Sequence, residues 1–180
     1  MSKLKKIVLT GGPSSGKTSI IKNLKKLGFL CFDEVARELF FETSVLNSFK
    51  KNPLLFSKKI INKRIDHYLI SENNTSNAKR NLCFFDRGIH DSIAYLNYMK
   101  AKNDYEKRLK RFNYSLIFLL ELNKNFFEND INRSESFDQS KLIHNEIELI
   151  YKKFNFEIIK VPWMNIEKRT NFILDKCKLI

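Results

Sequence analysis

Five short apolar runs alternate with longer segments of helical periodicity along this chain. The apolar runs cover residues 4–10, 29–33, 82–86, 116–120 and 156–161. They are nearly continuous, which is typical of strands covered on both faces of a parallel sheet. Because parallel strands need crossover connections, strands that alternate with helices predict an α/β fold with helices on both sides of the sheet.

Helical patterns fill the intervals between the predicted strands. Segment 16–27 has one apolar face and is followed by Gly28, a residue that commonly ends helices. Asn52 and Pro53 are typical of a helix start, where a capping residue precedes proline. Further helices are predicted over residues 90–99, 104–112, 139–154 and 165–178. The chain shows no internal repeat and no linker, so residues 1–180 are expected to form one domain.

The segment between the first strand and the first helix carries a phosphate-binding motif. Residues 11–18 read GGPSSGKT and match the P-loop pattern G-x-x-x-x-G-K-[ST]. Glycines let successive backbone N–H groups turn inward, where they and the helix N-terminus hold phosphate oxygens. Lys17 would reach the β- and γ-phosphates, and Thr18 would place its hydroxyl on Mg²⁺. The expected nucleotide contacts are Gly11, Gly12, Pro13, Ser14, Ser15, Gly16, Lys17, Thr18 and Ser19.

Charged residues follow the third predicted strand, at the edge where parallel sheets bind ligands. Asp86 ends the apolar run and is expected to hold the Mg²⁺ shell; the alternative is a helix cap. Arg87 would bind an acceptor phosphate or steady the transferred group, with a surface ion pair as the alternative. Asp91 and Tyr95 are four residues apart and share a helix face, so we expect both to contact the substrate.

The second predicted strand also ends in acidic residues. Glu34 is expected to act as the general base that accepts the proton of an acceptor hydroxyl. Asp33 takes this role if the strand end is misplaced by one residue, and a helix-capping carboxylate is the other alternative. Arg37, one helical turn further, would contact the acceptor or brace Glu34.

Two features after the fourth and fifth strands complete the predicted site. The polar stretch 122–136 is expected to form a mobile lid, with a plain surface loop as the alternative. Arg133 would swing from it onto the β- and γ-phosphates as an arginine finger, and Glu135 would pair with Arg133 in the open state. Trp163 follows the fifth strand and is expected to border the nucleotide base; ordinary packing is the alternative.

Charge and cysteine content narrow the choice of function. The net charge of +13 would attract a nucleic acid or an acidic membrane, but the basic residues are scattered, which favours a solvated surface. No apolar run approaches the length of a membrane span, and a cytoplasmic protein is expected. Cys31, Cys83 and Cys177 lack metal-binding spacing and are expected to be core residues.

Three motifs together resemble a known family. The sequence GGPSSGKT, the pair Glu34 and Arg37, and FFDRG at residues 84–88 are similar to AAA-type P-loop ATPases and kinases. This family includes the ribosylnicotinamide kinase domain of the bacterial NAD regulator and GTP- and lipid-binding animal relatives. The resemblance implies a five-stranded kinase-type sheet with strand order 2-3-1-4-5.

The motifs predict an ATP- and Mg²⁺-dependent phosphotransferase that acts on a small nucleoside- or nucleotide-like acceptor. The chain has no N-K-x-D guanine motif, which favours ATP without excluding GTP. One alternative is an ATPase or GTPase switch that has no acceptor. The other is a nucleic-acid- or lipid-binding module with a regulatory nucleotide site.

Overall fold

A computed structural model describes residues 4–36, 39, 53–73, 78–127 and 135–179. Its strands are β1 (Lys5–Thr10), β2 (Leu30–Phe32), β3 (Leu82–Asp86), β4 (Leu116–Leu120) and β5 (Ile158–Val161). They form one sheet in the order β2-β3-β1-β4-β5, and each neighbouring pair is parallel. The predicted fold class and strand order are therefore confirmed.

The helices lie where the apolar periodicity predicts them. They are α1 (Lys17–Lys26), α2 (Pro53–Asn73), α3 (Asp91–Tyr98), α4 (Tyr105–Leu109), α5 (Phe137–Lys153) and α6 (Ile166–Cys177), with short 3₁₀ turns at Lys79–Asn81 and Lys124–Phe126. The fifth strand starts later than predicted, because the Phe156 N–H bonds to the Tyr151 carbonyl and continues the end of α5. None of the described helices combines the length and apolar character needed to cross a membrane.

Two apolar layers cover the faces of the sheet. The layer beneath α1 and α6 contains Ile20, Leu24, Phe84, Phe118 and Ile173. The layer beneath α3 and α5 contains Val8, Phe85, Ile93, Ile117 and Ile147. Neighbouring residues of one strand enter opposite layers, as the two-residue period of a strand requires. Cys83 and Cys177 are buried, as predicted for core residues, whereas Cys31 is half-buried.

Candidate active site

The P-loop encloses the ammonium group of Lys17. Its Nζ donates to the carbonyl oxygens of Gly11 (3.0 Å) and Gly12 (2.8 Å) and to the hydroxyl of Ser15 (2.9 Å). Gly11 and Gly16 have φ values of 134° and 84°, and residues other than glycine rarely adopt such positive φ values. The loop thus encloses a buried positive charge carried by the first residue of α1.

Thr18, in the first turn of α1, contacts Asp86, the last residue of β3. The Thr18 hydroxyl donates to Asp86 Oδ2 over 2.9 Å, while the buried Oδ1 has no partner among the described residues. Burial and the charge of Glu34 raise the pKa of Asp86 to about 6. A hydroxyl beside a carboxylate oxygen without a partner is a donor set that suits Mg²⁺, which usually takes one or two carboxylates together with water and phosphate oxygens. These residues therefore fit the predicted metal.

Glu34 lies in a buried network with two arginines. Its Oε1 accepts from Arg64 NH2 over 2.8 Å, and its Oε2 forms a short ion pair with Arg87 Nε. Burial opposes ionisation of Glu34, but the charges of Arg64 and Arg87 outweigh it and hold the pKa of this carboxyl below its usual value. Both carboxylate oxygens of Glu34 are therefore held by arginines, and this pairing favours the ionised form of the side chain.

Arg87 links this network to the P-loop. Its backbone adopts a φ of 73°, and its NH1 donates to the Gly11 carbonyl over 3.0 Å and to Asp91 Oδ1 over 3.2 Å. Its guanidinium carbon lies 5.2 Å from the centre of the Tyr95 ring. Since Arg87 is only 8% exposed, the alternative of a surface ion pair is wrong. Arg87 therefore contacts both Tyr95 and the first residue of the P-loop, Gly11.

The structure corrects the expected position of Asp91. The side chain is fully buried, so it is not available to a substrate at the surface of the cleft. Its carboxylate accepts from the Thr10 hydroxyl (2.5 Å), the Gly88 N–H (3.0 Å), the Tyr151 hydroxyl (2.6 Å) and Arg87. The four-residue spacing correctly predicted that Asp91 and Tyr95 share a helix face. Such spacing does not show whether that face lines a cleft or packs into the core. Asp91 instead fixes Arg87 beneath the P-loop.

His144 on α5 is a site residue that the sequence did not indicate. Its Nδ1 accepts a hydrogen bond from the Gly12 N–H over 3.3 Å. A Cβ atom at Gly12 would overlap the Ser140 carbonyl oxygen, so α5 and the P-loop are in close contact. Burial and the neighbouring Lys17 charge lower the pKa of His144 to about 4, which leaves the ring neutral and able to accept at pH 7.

Trp163, after β5, lies in a small cluster beside the P-loop. Its ring stacks on Phe126 with the centroids 5.1 Å apart, and the guanidinium carbon of Arg169 lies 4.9 Å from the indole ring. Arg169 in turn donates to the Ser15 carbonyl over 2.9 Å. Sequence patterns did not indicate Arg169 either, although an arginine four residues before the buried Ile173 on α6 breaks the apolar pattern of that face.

Two predicted site residues, Arg37 and Arg133, lie outside the described residues. Of the predicted lid, the structure describes residues 122–127, which include the turn Lys124–Phe126, and residues 135–136, where Ser136 caps α5. The lid and the role of Arg133 remain predictions.

Comparison with solved structures places this fold among the nucleoside and nucleotide kinases. A deoxyadenosine kinase from M. mycoides, with products dCMP and dCDP, has a TM-score of 0.72 at 17% identity, covering 97% of this chain and 100% of that chain. The same enzyme with dATP gives 0.70 at 16% identity, covering 97% and 99%. A thymidylate kinase from Ehrlichia chaffeensis gives 0.67 at 15% identity, covering 98% and 100%.

Sequence comparison finds fewer relatives than structure comparison does. No curated protein sequence matches the chain significantly. The family described as AAA domain matches residues 6–169, which include the P-loop, the Asp86–Arg87 pair and Arg169. The predicted membership of a P-loop ATPase and kinase family is confirmed at this level, whereas the closer likeness to ribosylnicotinamide kinases stays a prediction. The chain belongs to the AAA domain family of P-loop proteins.

Proposed function

We propose that this protein transfers a phosphoryl group from ATP, with Mg²⁺, to a small nucleoside- or nucleotide-like acceptor. The observation that carries the proposal is the position of Glu34, Arg64 and Arg87 next to Asp86 and the P-loop, at one edge of the sheet. An NTPase without an acceptor needs the phosphate cradle and the metal ligand, but it does not need a second buried charge network at that edge. The kinases that share the fold act on nucleosides and nucleotides, which supports this class of acceptor.

The donor nucleotide would lie in the P-loop. Lys17 would exchange its bonds to the Gly11 and Gly12 carbonyls for phosphate oxygens, and Thr18 and Asp86 would hold Mg²⁺. When bound, Mg²⁺ neutralises charge on the β- and γ-phosphates. Trp163 would border the base, since it follows β5 and lies beside Arg169, which donates to the Ser15 carbonyl of the P-loop. ATP is the expected donor because the guanine motif is missing from the sequence.

The acceptor would enter on the side of β2 and β3. There, Arg87 or Arg64 would leave Glu34 for a polar group of the acceptor, and the released carboxylate oxygen would take the proton of the attacking hydroxyl. Tyr95 beside Arg87 would border the acceptor, while Arg37 and Arg133 would act as predicted from the sequence.

A single assay tests this function against its alternatives. The purified protein is incubated with ATP, Mg²⁺ and a panel of nucleosides and nucleoside monophosphates that includes ribosylnicotinamide. We expect ADP to form in step with a phosphorylated acceptor, and little ADP without one. ADP formed at the same rate with and without every acceptor would contradict the proposal and favour the NTPase switch. Phosphorylation of ribosylnicotinamide above the other acceptors would support the closer family likeness.

A further inference from the structure

Arg169 is a buried cation that contacts both the phosphate loop and the only tryptophan of the chain. It is 2% exposed, its NH1 donates to the Ser15 carbonyl over 2.9 Å, and its guanidinium carbon lies 4.9 Å from the Trp163 ring. Ser15 and Arg169 are 154 positions apart in sequence. The contact therefore joins α6 to the P-loop through tertiary structure alone.

Packing alone does not account for a guanidinium at this place. Nε and NH2 of Arg169 are buried and have no hydrogen-bond partner within the described part of the chain. Burial lowers the pKa of Arg169 to about 10, against the opposing charge of Glu121, so the group still carries its charge at pH 7. An apolar side chain of similar volume would fill the same space without desolvating a charge. The guanidinium therefore calls for a role other than filling space.

The peptide that Arg169 contacts lies in the second half of the P-loop, between Ser15 and Gly16. The Ser15 carbonyl and the Gly16 N–H belong to a single peptide unit, and no cis peptide occurs in the described residues. In a trans unit these two groups point in opposite directions, so the Gly16 N–H is directed away from Arg169. A Cβ atom on Gly16 would lie 2.9 Å from Arg169 NH1, and the φ of 84° at Gly16 favours glycine independently of this contact.

We propose that Arg169 is a positioning residue that polarises the Ser15–Gly16 peptide, strengthens its N–H as a phosphate donor, and reports phosphate binding to Trp163. This rests on the proposed function, in which the P-loop holds the triphosphate. A cation at the carbonyl end of a peptide and an anion at its N–H end reinforce each other, because hydrogen bonds in series polarise one another. Phosphate binding therefore tightens the contact between Arg169 and Ser15 and shifts the guanidinium beside the indole.

The test uses Mg²⁺-tripolyphosphate, a ligand that has phosphates but no base. Binding to the full-length parent, Arg169→Met and Arg169→Lys is measured by calorimetry, and Trp163 emission is followed in the same titrations. We expect Arg169→Met to bind tripolyphosphate roughly tenfold more weakly, within the usual range of coupling between sites. Arg169→Lys should recover most of the affinity, since an ammonium can also donate to the Ser15 carbonyl. Trp163 emission should respond to tripolyphosphate in the parent and not in Arg169→Met.

Arg111→Met is the control for the loss of an arginine beside an aromatic ring, because the guanidinium carbon of the exposed Arg111 lies 4.9 Å from the centre of the Phe112 ring. It should bind and respond like the parent. A folded Arg169→Met protein with parental affinity, or Arg169→Lys as weak as Arg169→Met, would overturn the proposal. If Arg169→Met does not fold, Arg169→Lys is compared with Arg169→Gln, and equal affinity of these two overturns it. A parent that binds neither ATP nor tripolyphosphate contradicts the proposed function itself, whatever the variants do.

Discussion

The guanidinium of Arg64 donates to Oε1 of Glu34 over 2.8 Å and thereby joins the middle of α2 to the carboxyl end of β2. Both side chains are buried, and Arg64 also donates to the Ser92 hydroxyl at the start of α3 over 2.9 Å. The proposed acceptor side of the site is therefore complete only when α2 is docked against the sheet. The proposed function and the stability of the fold would both depend on this pair.

Replacing Arg64 with Met should lower the free energy of unfolding by about 3 kcal/mol, because Arg87 is then the one charged partner that Glu34 keeps among the described residues. Urea unfolding measures the loss. Adding Glu34→Gln to Arg64→Met should restore part of it, since the buried carboxylate is removed together with its partner. Lys59→Met, on the exposed side of the same helix, should leave stability unchanged. Equal stability of the parent and Arg64→Met would contradict the assignment of a stabilising pair.

Replacing Lys17 with Ala should reduce turnover at least about 10²-fold and weaken ATP binding, because the loop loses the charge at its centre. The fold should survive, since Lys17 donates to Gly11, Gly12 and Ser15 within the loop itself and belongs to neither apolar layer of the sheet. Steady-state turnover and ATP titration give the two readouts. The matched control is Lys22→Ala, an exposed lysine of the same helix, which should behave like the parent. Full turnover in a folded Lys17→Ala protein would refute the P-loop assignment.

The parts of this molecule that the sequence predicted are those encoded by local patterns. Continuous apolar runs located β3 and β4 to the residue, because a strand buried on both faces leaves no polar position inside it. The P-loop was predicted for a similar reason, since its chemistry lies in eight consecutive residues.

The contacts that escaped prediction join residues far apart in sequence. Arg64 with Glu34, His144 with Gly12 and Arg169 with Ser15 are 30, 132 and 154 positions apart. No periodicity within a single helix indicates such partners. Each nevertheless left a weak trace, because a polar side chain stands on a helix face that is otherwise buried. The same ambiguity misled the prediction for Asp91, whose polar side chain on a helix face belongs to the core.

His144 should make stability and nucleotide affinity depend on pH in a defined window. The pKa of His144 in the folded protein is about 4, below the usual histidine value of 6.5, because burial and Lys17 disfavour the charged ring. Between these values the unfolded chain binds a proton that the folded protein does not, so stability falls as the pH drops from 6.5 towards 4. His144→Asn keeps an acceptor oxygen for the Gly12 N–H but does not titrate, and should flatten this part of the pH profile.

The pH dependence of stability is compared between the parent and His144→Asn. The buried His90 shows a similar depression of its pKa, to about 4, so only the difference between the parent and His144→Asn belongs to His144. His144→Phe removes the acceptor and should weaken ATP binding more than His144→Asn at pH 7.5. A parent and a His144→Asn variant with parallel stability profiles between pH 4 and 7 would contradict the prediction.

Replacing Glu34 with Gln decides whether this carboxylate serves phosphoryl transfer to an acceptor. The amide keeps the shape of the side chain but cannot accept a proton, and a general base typically contributes about 10² to 10⁴ in rate. Acceptor phosphorylation should fall by that factor, while ATP affinity stays within about twofold, because Glu34 contacts arginines and not the P-loop. Asp33→Asn is the matched control, since Asp33 is exposed and pairs with Lys25 on α1. Loss of transfer in Asp33→Asn with normal transfer in Glu34→Gln would show that Asp33, and not Glu34, is the general base. Retained transfer in both variants would mean that Glu34 is only a structural partner of Arg64 and Arg87. If no acceptor is found and Glu34→Gln loses ATP hydrolysis, Glu34 orients water instead.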